Sequence, residues 1–329
     1  MARIAIVTSS FPEGPGDASG HFVLSEVNLL CEAGHDVVVL APGAAPKHLP
    51  ANAFKTHWLG PLEAFGWPGL PTRLREHPSR ALSVAQFAWR VRKALQALGP
   101  LDRIIAHWLF PSGALLLFAP RTEWEIVAHG SDIELLHRLP SWLSGPFLNT
   151  LKKRGCKLRF VSKAQHAKTA ARFGNTLPES YVRPCTLDVS ALARTATEEA
   201  LALGQNRPII AIVSRLVPEK RVATALRAAT LIPNAQVVVA GDGPLRESLE
   251  AAFPEAHFVG RLPRPLALGL IAAADVLVHA SELEGASSVV REARALGTPV
   301  VAANSGDLLA MSQHDKGLFV LSSREARGA

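Results

Sequence analysis

Hydrophobic residues occur along this chain in short runs, separated by stretches of helical spacing and by turn residues. Residues 2–8 read ARIAIVT and end in a Ser/Pro/Gly loop; residues 22–31 then place apolar side chains at helical intervals, and Gly34 precedes a second apolar run at 37–40. Strand, loop, helix and strand in that order predict a parallel sheet with right-handed crossovers, and such sheets bind ligands at the carboxyl ends of their strands. The loop 9–20 is therefore a candidate binding element. Further strands are predicted at 103–106, 125–128 and 158–161, with helices between them. A second series follows at 208–213, 236–240, 257–259, 276–279 and 299–302.

Between the two series, residues 188–206 are rich in Ala, Thr and Glu and lack strand character. The pattern predicts an α/β chain of two Rossmann-like, doubly wound parallel-sheet domains: 1–187, a linker at 188–206, and 207–329. The most apolar stretch, 104–119, is broken by His107, Pro111, Ser112 and Gly113. It falls short of the roughly 20 residues needed to span a bilayer. A buried strand, a turn and a core helix are expected there.

Length agrees with two domains, since 329 residues exceed what one core usually organises. Hydrophobic residues at 48%, with 24 Gly and 24 Pro, suit a buried-sheet protein punctuated by turns and exclude a disordered or fibrous chain. Cys31, Cys156 and Cys185 are too few and too scattered for a disulfide framework or a Cys-x-x-Cys metal site. With no export signal in the first residues, a cytoplasmic chain in a reducing compartment is expected.

Charge adds an asymmetry. The net charge is +7; residues 1–180 carry 20 Lys and Arg against 13 Asp and Glu, and the remainder is balanced at 15 against 15. An anionic partner for the first half is one reading, and a solvated basic surface is the other. Arg90, Arg92 and Lys93 follow Phe87 and Trp89, and Lys152, Lys153 and Arg154 follow Trp142 and Phe147. Aromatics interleaved with cations suit a peripheral helix on the anionic inner face of a membrane, and equally a core helix with a basic outer face. No nucleic-acid-binding module accompanies the charge, so nucleic acid is not an expected partner.

The second half holds a series of motifs: Ser214-Arg215-Leu216 with Glu219-Lys220, then Gly241-Asp242-Gly243-Pro244-Leu245, then Gly260, then Glu284 with Glu292 eight positions later. Each is unspecific alone. Their order and spacing together resemble glycosyltransferase family 4. The resemblance extends into the first half through Gly20-His21-Phe22, Ala106-His107-Trp108 and Ala128-His129-Gly130-Ser131-Asp132, and so covers nearly the whole chain.

That resemblance implies a retaining enzyme of GT-B fold, its two domains facing a cleft, moving a sugar from a UDP- or GDP-linked donor to a glycan or lipid-linked acceptor. It implies no separate cofactor, and with no Asp-x-Asp motif near the expected cleft, no metal. The leaving diphosphate accepts the acceptor's proton, so no enzymic nucleophile is needed. Among expected catalytic groups, Arg215 and Lys220 would clamp the two phosphates, Arg as a planar fork and Lys as a point charge. Glu284 would contact donor sugar hydroxyls, Glu292 the ribose, and His129 the donor sugar near the reacting carbon.

Gly285, Ala286, Ser287 and Ser288 would lead into a helix whose first N–H groups face the ligand. Eight residues are a little over two helical turns, which would put Glu284 and Glu292 on one face. Gly20, Gly241 and Gly243 would let backbone approach the donor closely. His107 can be read as a site residue or as packing at a strand end.

The chain departs from the family pattern in three places. The stretch Arg183-Pro184-Cys185-Thr186-Leu187-Asp188 replaces the usual Asn-Gly-Val-Asp turn, and small Ala286 follows Glu-Gly where a bulky residue is common. The family continues well past the segment resembling Asn304-Ser305-Gly306-Asp307, so a shortened C-terminal domain is expected. A non-catalytic nucleotide-sugar or glycan binding protein is the alternative. A dehydrogenase ranks lower, because Gly241-Asp242-Gly243 lacks the third glycine of the dinucleotide fingerprint.

Overall fold

The computed structural model describes residues 1–14, 16–44, 54–66, 69–119, 122–189 and 208–321. The chain divides into two compact units, Met1–Thr186 and Leu187–Ala329. Of the expected linker 188–206, residues 190–206 lie outside the described residues.

The first unit is a seven-stranded sheet in the order β3-β2-β1-β4-β5-β6-β7, parallel throughout. Its strands are β1 (Arg3–Val7), β2 (Asp36–Ala41), β3 (Lys55–Trp58), β4 (Arg103–His107), β5 (Glu123–Ala128), β6 (Lys157–Phe160) and β7 (Glu179–Val182). The connecting helices are α1 (His21–Glu32), α2 (Leu70–Glu76), α3 (Ala81–Leu98), α4 (Ser131–Arg138), α5 (Ser141–Lys153) and α6 (Lys163–Phe173). Helices cover both faces, so central strands such as IAIV at 4–7 are apolar throughout and fully buried. The strand order reverses at β1, between β2 and β4, which is where ligand crevices open in doubly wound sheets.

The second unit repeats the design with six parallel strands in the order β10-β9-β8-β11-β12-β13. These are β8 (Ile209–Val213), β9 (Gln236–Ala240), β10 (His257–Gly260), β11 (Val276–His279), β12 (Val300–Ala303) and β13 (Leu318–Leu321). The helices are α7 (Val222–Thr230), α8 (Arg246–Ala252), α9 (Arg264–Ala273), α10 (Ser288–Ala295) and α11 (Leu308–Ser312). Strand alternation splits the core in two: Ile209 and Ala211 pack on one side of the sheet, Ile210 and Ile212 on the other.

One expectation needs correction. The stretch 104–119 forms β4 and then a short, kinked helical segment, Leu109–Gly113 continued through Ala114 and Leu115 into Leu116–Phe118, in place of a regular core helix. Pro111 cannot donate within a helix, and Gly113 packs so closely on Ile126 that a Cβ there would lie 2.8 Å from its side chain. The aromatic-and-basic segments lie on α3 and α5, each packing one face into the core while Arg92, Lys93, Lys152, Lys153 and Arg154 face outward, as the reading of a core helix with a basic outer face has it. On α3, Phe87 is fully buried while Trp89 is 57% exposed beneath the Lys93 ammonium. On α5, Phe147 stacks on Phe110 while Trp142 is 76% exposed.

Candidate functional site

At the carboxyl end of β8 the chain runs through Ser214 and Arg215 to a short turn, Pro218–Lys220, before α7 begins. At the carboxyl end of β11, its neighbour in the sheet, it runs through His279 to Glu284 and enters α10 at Ser288. These two strands flank the point where strand order reverses, and their loops meet there. Val213, Ser214, Arg215, Lys220, His279, Glu284, Ser287, Ser288 and Val289 line a pocket of about 170 Å³.

Glu284 is its electrostatic centre. Its Oε1 lies 2.5 Å from Lys220 Nζ and 3.1 Å from His279 Nε2, and the Ser287 hydroxyl lies 3.2 Å from the same histidine nitrogen. Burial by itself would raise the Glu284 pKa, but the Lys220 charge and the His279 hydrogen bond outweigh it and hold the carboxyl well below its usual range. Arg215 shifts down, chiefly because burial disfavours its charge, with Glu284 and Glu219 opposing. A deeply set guanidinium, an ammonium and the first N–H groups of α10 therefore converge on one small pocket, which is the chemistry of an anion site.

Arg215, Lys220, Glu284, Ser287 and Ser288, all expected from the sequence, come together there. Glu292 lies apart from the pocket lining. It is on α10, while Glu284 sits in the loop four residues before that helix, so the two do not share a helix face as expected. Glu292 is 5% exposed and pairs with Arg264 of α9 at 2.9 Å, a partner more than seven helical turns away in sequence. Gly285 is buried and Ala286 half-buried in the loop.

Gly241 and Gly243 hold the loops in place. A Cβ on Gly241 would lie 1.7 Å from the Ser214 carbonyl oxygen, and one on Gly243 2.5 Å from that of Leu216. Their N–H groups are engaged, Gly241 with the Gly260 carbonyl and Gly243 with the Asp242 side chain. Gly306 does the same on the other side, where a Cβ would meet the Gly285 carbonyl oxygen at 2.3 Å.

The first unit has its own polar cluster at the ends of β4 and β5. His129 Nε2 and His107 Nδ1 lie 3.0 Å apart, and Phe22 and Trp108 pack against the His129 ring. Burial, first of all, lowers both histidine pKa values well below the ordinary range; the Arg159 charge adds to this, so both rings are neutral. Beneath them Arg159 binds Glu26 bidentately, at 2.8 and 2.5 Å, and its Nε faces Glu125 at 3.2 Å. Gly20, with φ of 62°, starts α1; a Cβ there would lie 2.2 Å from the Ser10 carbonyl oxygen, so this glycine lets the loop fold back on the helix.

His279, Arg264, Glu26, Glu125 and Arg159 were not foreseen from the sequence. His279 has one local signal, a histidine closing an apolar strand five residues before Glu284. The others meet partners distant in sequence and have none. Among the described residues no three of His, Cys, Asp or Glu gather where they could hold a metal ion, and no helix is long and apolar enough to cross a membrane.

Residues 193–326 match the family model for group 1 glycosyl transferases. The second half of the chain is thus similar to that family. A GDP-mannose-dependent alpha-mannosyltransferase of Mycolicibacterium smegmatis is 35% identical over 123 residues, 36% of this chain and 32% of that protein, so the match spans about a third of the relative's length. A longer match, 25% identical over 98% of this chain and 86% of the relative, is to a GDP-mannose-dependent alpha-(1-6)-phosphatidylinositol monomannoside mannosyltransferase of Mycobacterium tuberculosis. Among solved structures, sucrose-phosphate synthase from Thermosynechococcus elongatus superposes with a TM-score of 0.75 at 20% identity, over 99% of this chain and 87% of that one. That likeness establishes the GT-B fold of paired Rossmann-like units.

Proposed function

We propose that this chain is a retaining glycosyltransferase that takes a sugar from a nucleoside-diphosphate sugar, with GDP-mannose the first donor to test, and passes it to a glycan or lipid-linked acceptor. The observation that carries the reading is the β8/β11 pocket, where Arg215 and Lys220 flank Glu284 at the start of α10. A diphosphate gains charge as the glycosidic bond breaks, and Arg215, Lys220 and the α10 N–H groups would meet that charge. Glu284, kept ionised by Lys220 and His279, accepts hydrogen bonds from donor sugar hydroxyls. Glu292, braced by Arg264, takes the ribose. The leaving diphosphate takes the acceptor's proton on the same face, and the resemblance implies that His129 contacts the donor sugar. The relatives' names support a mannosyl donor and, in one case, a lipid-linked acceptor.

Thermal shift against GDP, GDP-mannose, UDP and UDP-glucose tests the donor site, with Lys220→Ala and Glu292→Ala as controls, because a ligand that binds only the folded state raises the midpoint. A shift selective for one base, lost in both variants and followed by turnover, supports the proposal. Binding without turnover on any acceptor would mark a non-catalytic binding protein, and no shift would sink the reading. For the acceptor side, exposed Trp89 and Leu82 with Lys93 and Arg92 on α3, and exposed Trp142 on α5, are proposed to rest on an anionic membrane. Sedimentation with phosphatidylglycerol vesicles at low salt should pull down the chain; failure to do so removes the membrane from the proposal.

A further inference from the structure

The histidine pair in the first unit stands on a buried ionic base, and the atoms fix where its protons lie. His107 is fully buried, and its Nε2 has no hydrogen-bond partner. Glu26 Oε2 lies 3.7 Å from that nitrogen, on a carboxylate clamped by Arg159. A carboxylate only accepts, so a lone pair on His107 Nε2 would face negative charge, whereas an N–H there is attracted to it. A neutral imidazole has one N–H, which leaves His107 Nδ1 as an acceptor. His129 Nε2, 3.0 Å away, must then be the donor. The remaining nitrogen, His129 Nδ1, keeps its lone pair and accepts from the Cys185 thiol at 3.8 Å, a weak bond that a ligand hydroxyl would replace.

We propose that His107 is a positioning residue which, taking its orientation from Glu26, holds His129 in the tautomer protonated on Nε2 and so presents Nδ1 as a hydrogen-bond acceptor. His129 then receives a hydrogen bond from a hydroxyl-bearing ligand and gives none through that nitrogen. This rests on the proposed contact of His129 with the donor sugar, whose hydroxyls are the donors such a nitrogen accepts from. Arg159 contributes by keeping Glu26 in place, and Glu125 by facing the Arg159 Nε: the fork at 2.8 and 2.5 Å leaves the Glu26 carboxylate little freedom to turn.

The test is a long-range proton–nitrogen NMR correlation of the full chain carrying nitrogen-15 histidine, in which the two imidazole nitrogens report directly which one is protonated. Signals are assigned by their loss in His129→Asn and His107→Asn. His129 protonated on Nε2, with Nδ1 bare, is expected; His129 protonated on Nδ1, or an equal mixture of the two, overturns the proposal. Glu26→Gln removes the negative charge that faces His107 Nε2, so the tautomer preference of both rings should weaken. His107→Phe, which keeps a ring in the space, should allow His129 to populate both tautomers even if Glu26→Gln fails to fold. In turnover, His107→Phe should lower kcat about tenfold with little change in donor KM. If the tautomer is as expected but the wild-type chain turns over no nucleotide-sugar, the functional reading fails while the proton assignment stands.

Discussion

The two units solve opposite electrostatic problems with similar residues. In the first, Glu26, Glu125 and Arg159 are all under a tenth exposed and form a closed lattice. Each carboxylate there meets a guanidinium, and Glu125 also accepts from Tyr181, whose phenol is pushed up to about 12 by burial and by that charge. In the second unit Lys220 and Glu284 form a single pair at the wall of a pocket, with Arg215 beside them. A closed lattice spends its charges on itself and fixes geometry. A pair at a pocket wall keeps its charges within reach of a ligand. On this view the lattice is scaffolding for the histidines, and the pocket pair belongs to the binding chemistry.

Breaking the lattice should therefore cost stability first. Glu26→Ala leaves Arg159 buried with one carboxylate neighbour fewer, and removing one partner of a buried pair typically costs about 3–5 kcal/mol. Urea unfolding should show the loss, and Glu26→Ala combined with Arg159→Met should recover part of it. Equal stability of the single variant and the wild type would erase the contrast between the units.

Lys220→Ala should cost activity more than folding. Loss of one group that stabilises developing charge lowers kcat/KM about 10²-fold. The pH dependence distinguishes this pair from a surface one. In the wild type Glu284 is held below its unfolded value, so its contribution is present at neutral pH and is lost only as pH falls through that lowered value. Without Lys220, the burial that raises its pKa is less opposed, so the buried charge destabilises at neutral pH and protonation relieves it. The gap in Tm between variant and wild type should therefore narrow from pH 7 toward about pH 4. A gap that widens would show that Lys220 does not set the state of Glu284.

What could be read beforehand follows the same division. Central strands such as Ile209–Val213 are uninterrupted apolar runs, because sheets covered on both faces demand them. Edge strands Lys55–Trp58 and Glu179–Val182 carry polar residues on half-exposed faces and give no such signal. The pocket residues were legible because each follows a strand end within a few positions, in an order that resembled a family. The lattice was not, since Glu26 and Arg159 are 133 residues apart and no periodicity links them. For Glu284 and Glu292 a correct spacing led to a wrong face, because α10 starts only at Ser288.

A smaller effect tests how the pocket is held. Gly241 has φ of 149° and touches the Ser214 backbone, so Gly241→Ala should cost about 1–3 kcal/mol in backbone strain and must also displace the loop bearing Arg215. Donor affinity measured by calorimetry should fall with stability in this variant. A loss of stability with unchanged affinity would mean that Arg215 tolerates movement of its loop.

The smallest effect sets the baseline for the others. Lys168 and Glu134 form an ion pair at 3.5 Å in the first unit, with the lysine side chain 61% exposed. Water and salt screen such a pair, and its two long side chains lose rotamer freedom to form it, so pairs of this kind contribute about 0–1 kcal/mol. Lys168→Ala should leave the urea midpoint almost unmoved at low salt and unmoved at high salt. If it instead matched Glu26→Ala, overall charge balance in this basic half, and not burial, would be setting its stability, and the contrast between lattice and pocket would lose its physical basis.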